Sequence, residues 1–141
     1  MGAAVKNPLA DRTVFFPAMA DAGVRALASA FRAMGIRAEA MPPSDDETLA
    51  LGGRYSSGEE CLPLKITLGD TLKVLVGGRC RADKMALFLP SAEGPCRFGQ
   101  YGLYIRRVLQ ETSQILTRLL ILINFYSTTE TSPEIQYTRT R

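Results

Sequence analysis

The chain has 141 residues, 46% of them hydrophobic and 22% charged, with a formal net charge of +3. This is the length of one domain with enough apolar residues to bury a core, which excludes global disorder. The cationic excess is scattered arginine, and its densest patch, Arg79-Cys80-Arg81, is broken by Asp83, so neither a nucleic-acid nor a membrane partner is implied. Histidine is absent, which removes Ser-His-Asp triads, Cys-His pairs, imidazole proton shuttles and every zinc site that needs His.

Residues 1–11 read as a loose leader without the apolar centre of a signal peptide. Thr13-Val14-Phe15-Phe16, closed by Pro17, is a compact β-branched and aromatic run and predicts a buried strand. Asp21 stands as an N-cap before Val24, Leu27, Phe31 and Met34, whose spacing makes one apolar helix face, with Gly35 as C-cap. Ile36 to Met41 alternates and predicts a second strand, stopped by Pro42-Pro43. Strand, helix and strand in this order form a βαβ half-unit of a parallel sheet. No GxGxxG follows the first strand, so the dinucleotide fingerprint is missing.

Ser44-Asp45-Asp46-Glu47 reads as a capping box with Ser44 as cap and Glu47 reaching back, opening a short helix that ends at Gly52-Gly53. Gly58 begins a loop carrying Glu59, Glu60 and Cys61, with the two carboxylates expected in solvent. Pro63 suits the first turn of a helix, and Leu64, Leu68, Leu72 and Leu75 form its apolar stripe. Lys65 and Asp70 are expected on its solvent side, and Gly77-Gly78 ends it. Met85 to Leu89 predicts a third strand, stopped by Pro90. A loop from Ser91 to Gly99 carries Cys96, and a further helix starts at Tyr101, with Leu103, Arg106 and Arg107 giving mixed faces.

Leu119 to Ile123, extended by Phe125 and Tyr126, is the strongest apolar run. It is far shorter than the roughly 20 residues that span a bilayer, so a buried strand or helix segment is expected. Thr128 to Arg141, rich in Thr and Ser, is expected to fray. The three cysteines are odd in number and widely spaced, which argues against a disulfide framework and for reduced thiols in the cytoplasm.

Cys61 and Cys96 share a context: each follows a turn near glycine and proline, at the mouth of a helix. A helix N-terminus favours a thiolate. Both loops should leave the same end of a parallel sheet, beyond the carboxyl ends of the strands, where open α/β folds bind ligands. Two thiolates there would make a metal or iron–sulfur ligand pair. The competing reading is a pair of small hydrophobes or inert thiols. Cys80, in a basic turn flanked by glycine, reads as an incidental surface cysteine.

Three stretches resemble the 2-hydroxyacyl-CoA dehydratase superfamily, most closely a region of the large CoA-substrate-specific activase-related proteins. They are Tyr55-Ser56-Ser57-Gly58-Glu59-Glu60-Cys61-Leu62-Pro63-Leu64-Lys65 with Leu68-Gly69-Asp70, then Leu89-Pro90 with Gly94-Pro95-Cys96-Arg97-Phe98-Gly99-Gln100-Tyr101, and Phe15-Phe16-Pro17-Ala18-Met19 with Phe31-Arg32-Ala33-Met34-Gly35 and Pro42-Pro43-Ser44-Asp45. The matching region runs from about Thr13 to Leu109 and leaves residues 110–141 as a divergent or truncated tail that does not continue the α/β pattern.

The resemblance implies a Rossmann-like, three-layer α/β domain over residues 12–109, a fragment of a larger protein, with a short, mostly parallel sheet. It implies an iron–sulfur cluster, 4Fe-4S in type, with Cys61 and Cys96 as ligands and Arg97, Phe98 and Gly99 beside it. The amides of Phe98 and Gly99 would bond to cluster sulfides, and Arg97 would offset the cluster's charge. In that superfamily a cluster takes one electron from an ATP-hydrolysing activator, and the dehydratases pass it to a 2-hydroxyacyl-CoA thioester, from which water is lost. The partners implied are a dehydratase or activase subunit or domain, and a CoA thioester. Cys80 matches no family position. Further cluster ligands are expected from later in a chain or from a partner subunit, and no Gly-rich phosphate loop of an activase ATPase is visible. Two other readings stand beside this one: a non-catalytic α/β fragment acting as an interaction or scaffold module, and a phosphate- or CoA-binding domain without a cluster. No general acid or base is assigned.

Overall fold

The computed structural model describes residues 9–91, 95–112, 120–125 and 136–138. Its strands are β1 (Thr13–Phe16), β2 (Ala38–Ala40), β3 (Met85–Ser91), β4 (Leu120–Phe125) and β5 (Gln136–Thr138); its helices are α1 (Asp21–Ala33), α2 (Asp46–Arg54), α3 (Leu62–Val76) and α4 (Tyr101–Thr112). The strands form one sheet in the order β2-β1-β3-β4-β5. The β1–β2, β1–β3 and β3–β4 pairs are parallel, and β4–β5 is antiparallel.

The alternation of side chains along β1 and β3 divides the core in two. Phe15, Met85, Leu87 and Leu89 point to the face covered by Leu64, Leu68 and Leu72 of α3 and by Tyr101, Ile105 and Leu109 of α4. Val14, Phe16 and Ala86 point to the opposite face, covered by Val24 and Ala28 of α1. Helices thus lie on both faces of a mostly parallel sheet, an α/β architecture. Handedness accounts for the division. The step from β1 to β2 runs one way across the sheet, while the steps from β2 to β3 and from β3 to β4 run the other way. Right-handed crossovers in opposite directions put their helices on opposite faces.

Several expected boundaries move. Ala20, not Asp21, is the N-cap of α1, and Asp21 is its first residue, where a carboxylate complements the positive end of the helix. The buried face of α1 is Val24 and Ala28 with half-buried Phe31, whereas Leu27 and Met34 are exposed. Gly35 closes the helix with φ +79°. The second strand is shorter than Ile36–Met41, although the Met41 amide still donates to the Phe16 carbonyl. Pro90 does not stop β3 but lies within it, opposite Asn124 of β4. The register with β1 ends at Leu87, so Pro90 has a strand neighbour on one side only and its missing N–H interrupts no ladder there. Past Leu109 the α/β order continues, contrary to expectation: α4 runs to Thr112 and β4 adds to the sheet parallel to β3. Leu120 to Phe125 of the apolar run thus form a strand, while most of the leader and of the Thr- and Ser-rich end falls outside the described residues.

The α2–α3 pair departs most from the local reading. The reciprocal cap belongs to Asp45 and Thr48, not to Ser44 and Glu47. Asp45 accepts from the Thr48 amide at 3.0 Å and ion-pairs with Lys73 of α3. Gly52 and Gly53 do not end α2, which continues to Arg54. A Cβ at Gly52 would lie 2.0 Å from the Lys65 carbonyl oxygen, and one at Gly69 would lie 1.9 Å from that of Thr48. The two glycines let the helix backbones touch, and α3 is held antiparallel to α2 by that contact. Asp70, expected in solvent, is only 2% exposed and accepts hydrogen bonds from the Ser44 hydroxyl at 2.9 Å and the Thr48 hydroxyl at 3.0 Å.

Gly69→Ala is expected to destabilise the fold by about 3 kcal/mol, because helix backbones give way less readily than side chains. Gly53→Ala, whose added Cβ meets nothing within 4 Å, is expected to gain about 0.5 kcal/mol. Urea midpoints check the pair, and equal midpoints would contradict the contact. A second prediction concerns Asp70. Burial holds its carboxyl above the ordinary value of 3.8. Folding therefore loses stability as the pH rises from that value through the raised one, because the unfolded chain ionises first. The stability of Asp70→Asn relative to wild type is expected to move in the variant's favour as the pH rises above about 4. A pH-independent difference between the two would refute this.

Candidate functional site

The parallel strands β1, β2 and β3 share one carboxyl edge. Because α3 returns the chain to the amino end of β3, its own start lies at the carboxyl edge, and so does the loop that follows β3. Cys61 is the N-cap of α3, extended at φ −67° and ψ 150°, with Pro63 in the first turn. Cys96 is the N-cap of a short 3-10 turn, Arg97–Gln100, that leads into α4. The two loops face each other: the Arg97 guanidinium donates to the Glu59 carbonyl at 3.1 Å.

Two phenols on α4 grip consecutive residues of the Cys61 loop. The Tyr101 hydroxyl lies 3.0 Å from the Cys61 sulfur. One helical turn on, the Tyr104 hydroxyl donates to the Glu60 carboxylate at 2.6 Å and lies 3.3 Å from the Tyr55 carbonyl. Glu60 is therefore not the solvated loop carboxylate expected. It also accepts from the Ser57 hydroxyl at 2.8 Å and from the Ser57 and Gly58 amides, the latter made available by the left-handed Gly58 at φ +104°. These donors, the Tyr104 hydroxyl first, hold the Glu60 carboxyl down at about 2. Burial and then the Glu60 contact push Tyr104 up to about 12.

Cys61 is half-buried and its thiol is drawn below the ordinary 9.0, chiefly by the Tyr101 hydroxyl. Burial opposes this; the nearby backbone amides of Leu64 and Cys61 and the charge of Arg97 add to it. Burial, followed by the thiol contact and the charges of Cys61 and Cys96, pushes Tyr101 up to about 12. Cys96 is exposed. Beside Cys61 a cavity of about 260 Å³ is lined by Glu59, Glu60, Leu64, Arg97, Gln100 and Tyr104.

Cys61 and Arg97 thus line one cavity, while Phe98 and Gly99 lie on the turn that carries Arg97 and Cys96 is the cap of that turn. Phe98 is half-buried, its ring edge-on to Tyr101 with centroids 5.0 Å apart. Arg97 is exposed yet tied to the opposite loop. Cys80 stands apart, between α3 and β3 at the amino edge of the strands, and burial raises its thiol pKa. Tyr101 and Tyr104 were not singled out from the sequence. Their spacing of three on a helix face was visible, but nothing local paired them with residues 40 and 44 positions earlier.

Among the described residues no group of three or more Cys, Asp or Glu side chains is placed to hold a metal ion. Both candidate ligands are thiols, the donor type of iron–sulfur centres, but they supply two positions where such centres use four, so the described residues do not by themselves fit such a centre. Among the described residues no helix is long and apolar enough to cross a membrane. No family model, curated protein or solved structure matches the chain.

Iodoacetamide at neutral pH is expected to label Cys61 faster than Cys80, because the thiolate is the nucleophile and the two thiols are shifted in opposite directions. Peptide mass spectrometry reads the order, and Cys80 labelling as fast or faster would contradict the site's electrostatics.

Proposed function

We propose that the chain is a cytoplasmic iron–sulfur-binding domain of Rossmann-like type, similar to the 2-hydroxyacyl-CoA dehydratase and activase proteins, and that it works within a larger protein or assembly. The observation that carries this reading is the convergence of the Cys61 and Cys96 loops on one rim, linked by the Arg97 guanidinium on the Glu59 carbonyl. The first four strands support the Rossmann-like assignment. Their order places the reversal of winding between β1 and β3, and a doubly wound sheet binds ligands beyond the carboxyl ends of its strands at such a point.

On this reading Cys61 and Cys96 are thiolate ligands, and a partner subunit or a further domain supplies the rest. A cluster held there would supply single-electron transfer, which in the resembled superfamily leads to loss of water from a CoA thioester. The protein's own contribution is positional and electrostatic. Tyr101 orients the Cys61 sulfur, Glu60 with Tyr104 holds the loop before it, and Arg97 brings a positive charge to a rim that two thiolates would make negative. A second reading, a non-catalytic interaction or scaffold module without a cluster, is favoured by the count of two candidate ligands among the described residues.

Anaerobic reconstitution with ferrous iron and sulfide separates the two. The first reading expects protein-bound iron and acid-labile sulfide with broad visible absorption, lost or strongly reduced in Cys61→Ser and in Cys96→Ser and retained in Cys80→Ser. Colourless protein, or a chromophore indifferent to Cys61 and Cys96, would establish the second.

A further inference from the structure

We propose that Asp70, Thr48 and Asp45 form a proton switch at the α2–α3 joint: a proton on Asp70 completes the N-cap of α2, and its loss sets two carboxylates competing for one hydroxyl. The switch uses neither Cys61 nor Cys96 and is independent of the cluster reading.

The Thr48 side chain sets the constraint. It is fully buried. Its hydroxyl oxygen lies 3.0 Å from Asp70 Oδ1 and 3.2 Å from Asp45 Oδ1, and it accepts from the Asp45 amide at 3.3 Å. A hydroxyl has one proton, so it donates to one of the two carboxyl oxygens at a time. With both carboxyl groups ionised, one of those oxygens faces the Thr48 oxygen with no proton between them, and an unmade bond is costly in a buried joint. A proton on Asp70 Oδ1 removes the conflict. Asp70 then donates to the Thr48 oxygen, Thr48 donates to Asp45, and Asp70 Oδ2 still accepts from the Ser44 hydroxyl at 2.9 Å. Every contact in the joint is satisfied.

Surroundings decide which carboxyl takes the proton. Asp45 is exposed, pairs with Lys73 of α3 and accepts from the Thr48 amide, and these contacts, Lys73 first, hold it below the ordinary 3.8. Asp70 is 2% exposed and makes no ion pair among the described residues. Burial raises it, the two hydroxyls and the charge of Lys73 oppose that, and the charge of Asp45 adds to it. The other carboxylates in the first turn of α2, Asp46 and Glu47, are exposed. The proton therefore resides on Asp70. As the pH rises through the Asp70 midpoint it is lost, the Thr48 hydroxyl turns to Asp70, and Asp45 keeps only the Thr48 amide and Lys73. The first turn of α2 then loosens, in the same pH direction in which a raised carboxyl loses stabilisation.

Carbon-13 NMR of the side-chain carboxyls and amide hydrogen exchange test this on the whole chain. Asp70 is expected to titrate above 3.8, and the Thr48 amide resonance is expected to move with the same midpoint. Protection of that amide is expected to fall about fivefold across the midpoint, the scale of a weakened cap. Asp70→Asn, whose amide donates to Thr48 at every pH, is expected to remove this transition and keep the protection high. Asp70 titrating at or below its ordinary value, or a wild-type Thr48 amide that ignores the Asp70 midpoint, overturns the proposal. So does a Thr48 transition that survives in Asp70→Asn. The wild-type titrations decide the matter without the variant if it does not fold.

Discussion

The contact between the Tyr101 hydroxyl and the Cys61 sulfur joins the head of α4 to the head of α3. Those helices begin in segments 40 residues apart in sequence, and the sheet alone does not specify how their first turns meet. With Tyr104 on Glu60 one turn further along, α4 holds two successive residues of the facing loop from a single rigid surface. The Arg97–Glu59 link ties the same loops from the other direction. The small cavity, the lowered Cys61 thiol and the placement of Cys96 all follow from this docking of one helix head against another.

That docking requires α3 to be fixed, and the constraint lies deeper in the fold. Gly52 and Gly69 let α2 and α3 approach backbone to backbone. Around the contact sits a polar network of Asp70, Ser44 and Thr48, continued to the surface by Asp45 and Lys73. A buried carboxyl costs free energy unless it is bonded, so its two hydroxyl partners also define the angle at which α2 meets α3. The rim chemistry therefore rests on a polar joint about two helical turns below it.

The local reading succeeded where one segment's own pattern decides the outcome. Thr13–Phe16, the Leu64-Leu68-Leu72 stripe and the positive-φ Gly35 needed no partner to be recognised. It failed where a distant segment decides. Ser44 and Asp45 were both plausible caps, and Lys73 and Asp70 on another helix distribute their roles. Asp70 looked like a solvent residue because its hydroxyl partners lie 22 and 26 positions away. Gly52-Gly53 looked like a helix stop because close backbone approach leaves no local mark. Pro90 looked like a strand stop because nothing in its neighbourhood reveals that β1 has already ended. Of the site, the cysteine loops were legible as turns before helices, whereas the tyrosines that organise them were not.

The rim carries Cys61, half-buried with its sulfur 3.0 Å from the Tyr101 hydroxyl, and exposed Cys96; on the proposed reading they are two cluster ligands, with the others supplied by another domain or subunit. The proposed reading draws on the motifs around Cys61 and Cys96, and the docking of α4 on α3 is the geometry it would use. The most direct measurement is a crystal structure of the anaerobically reconstituted protein with anomalous data at the iron edge. The account predicts an iron peak bonded to both the Cys61 and Cys96 sulfurs, with the Tyr101 hydroxyl still on the former. Iron density elsewhere, or reconstituted protein in which the two sulfurs share no iron, would contradict it.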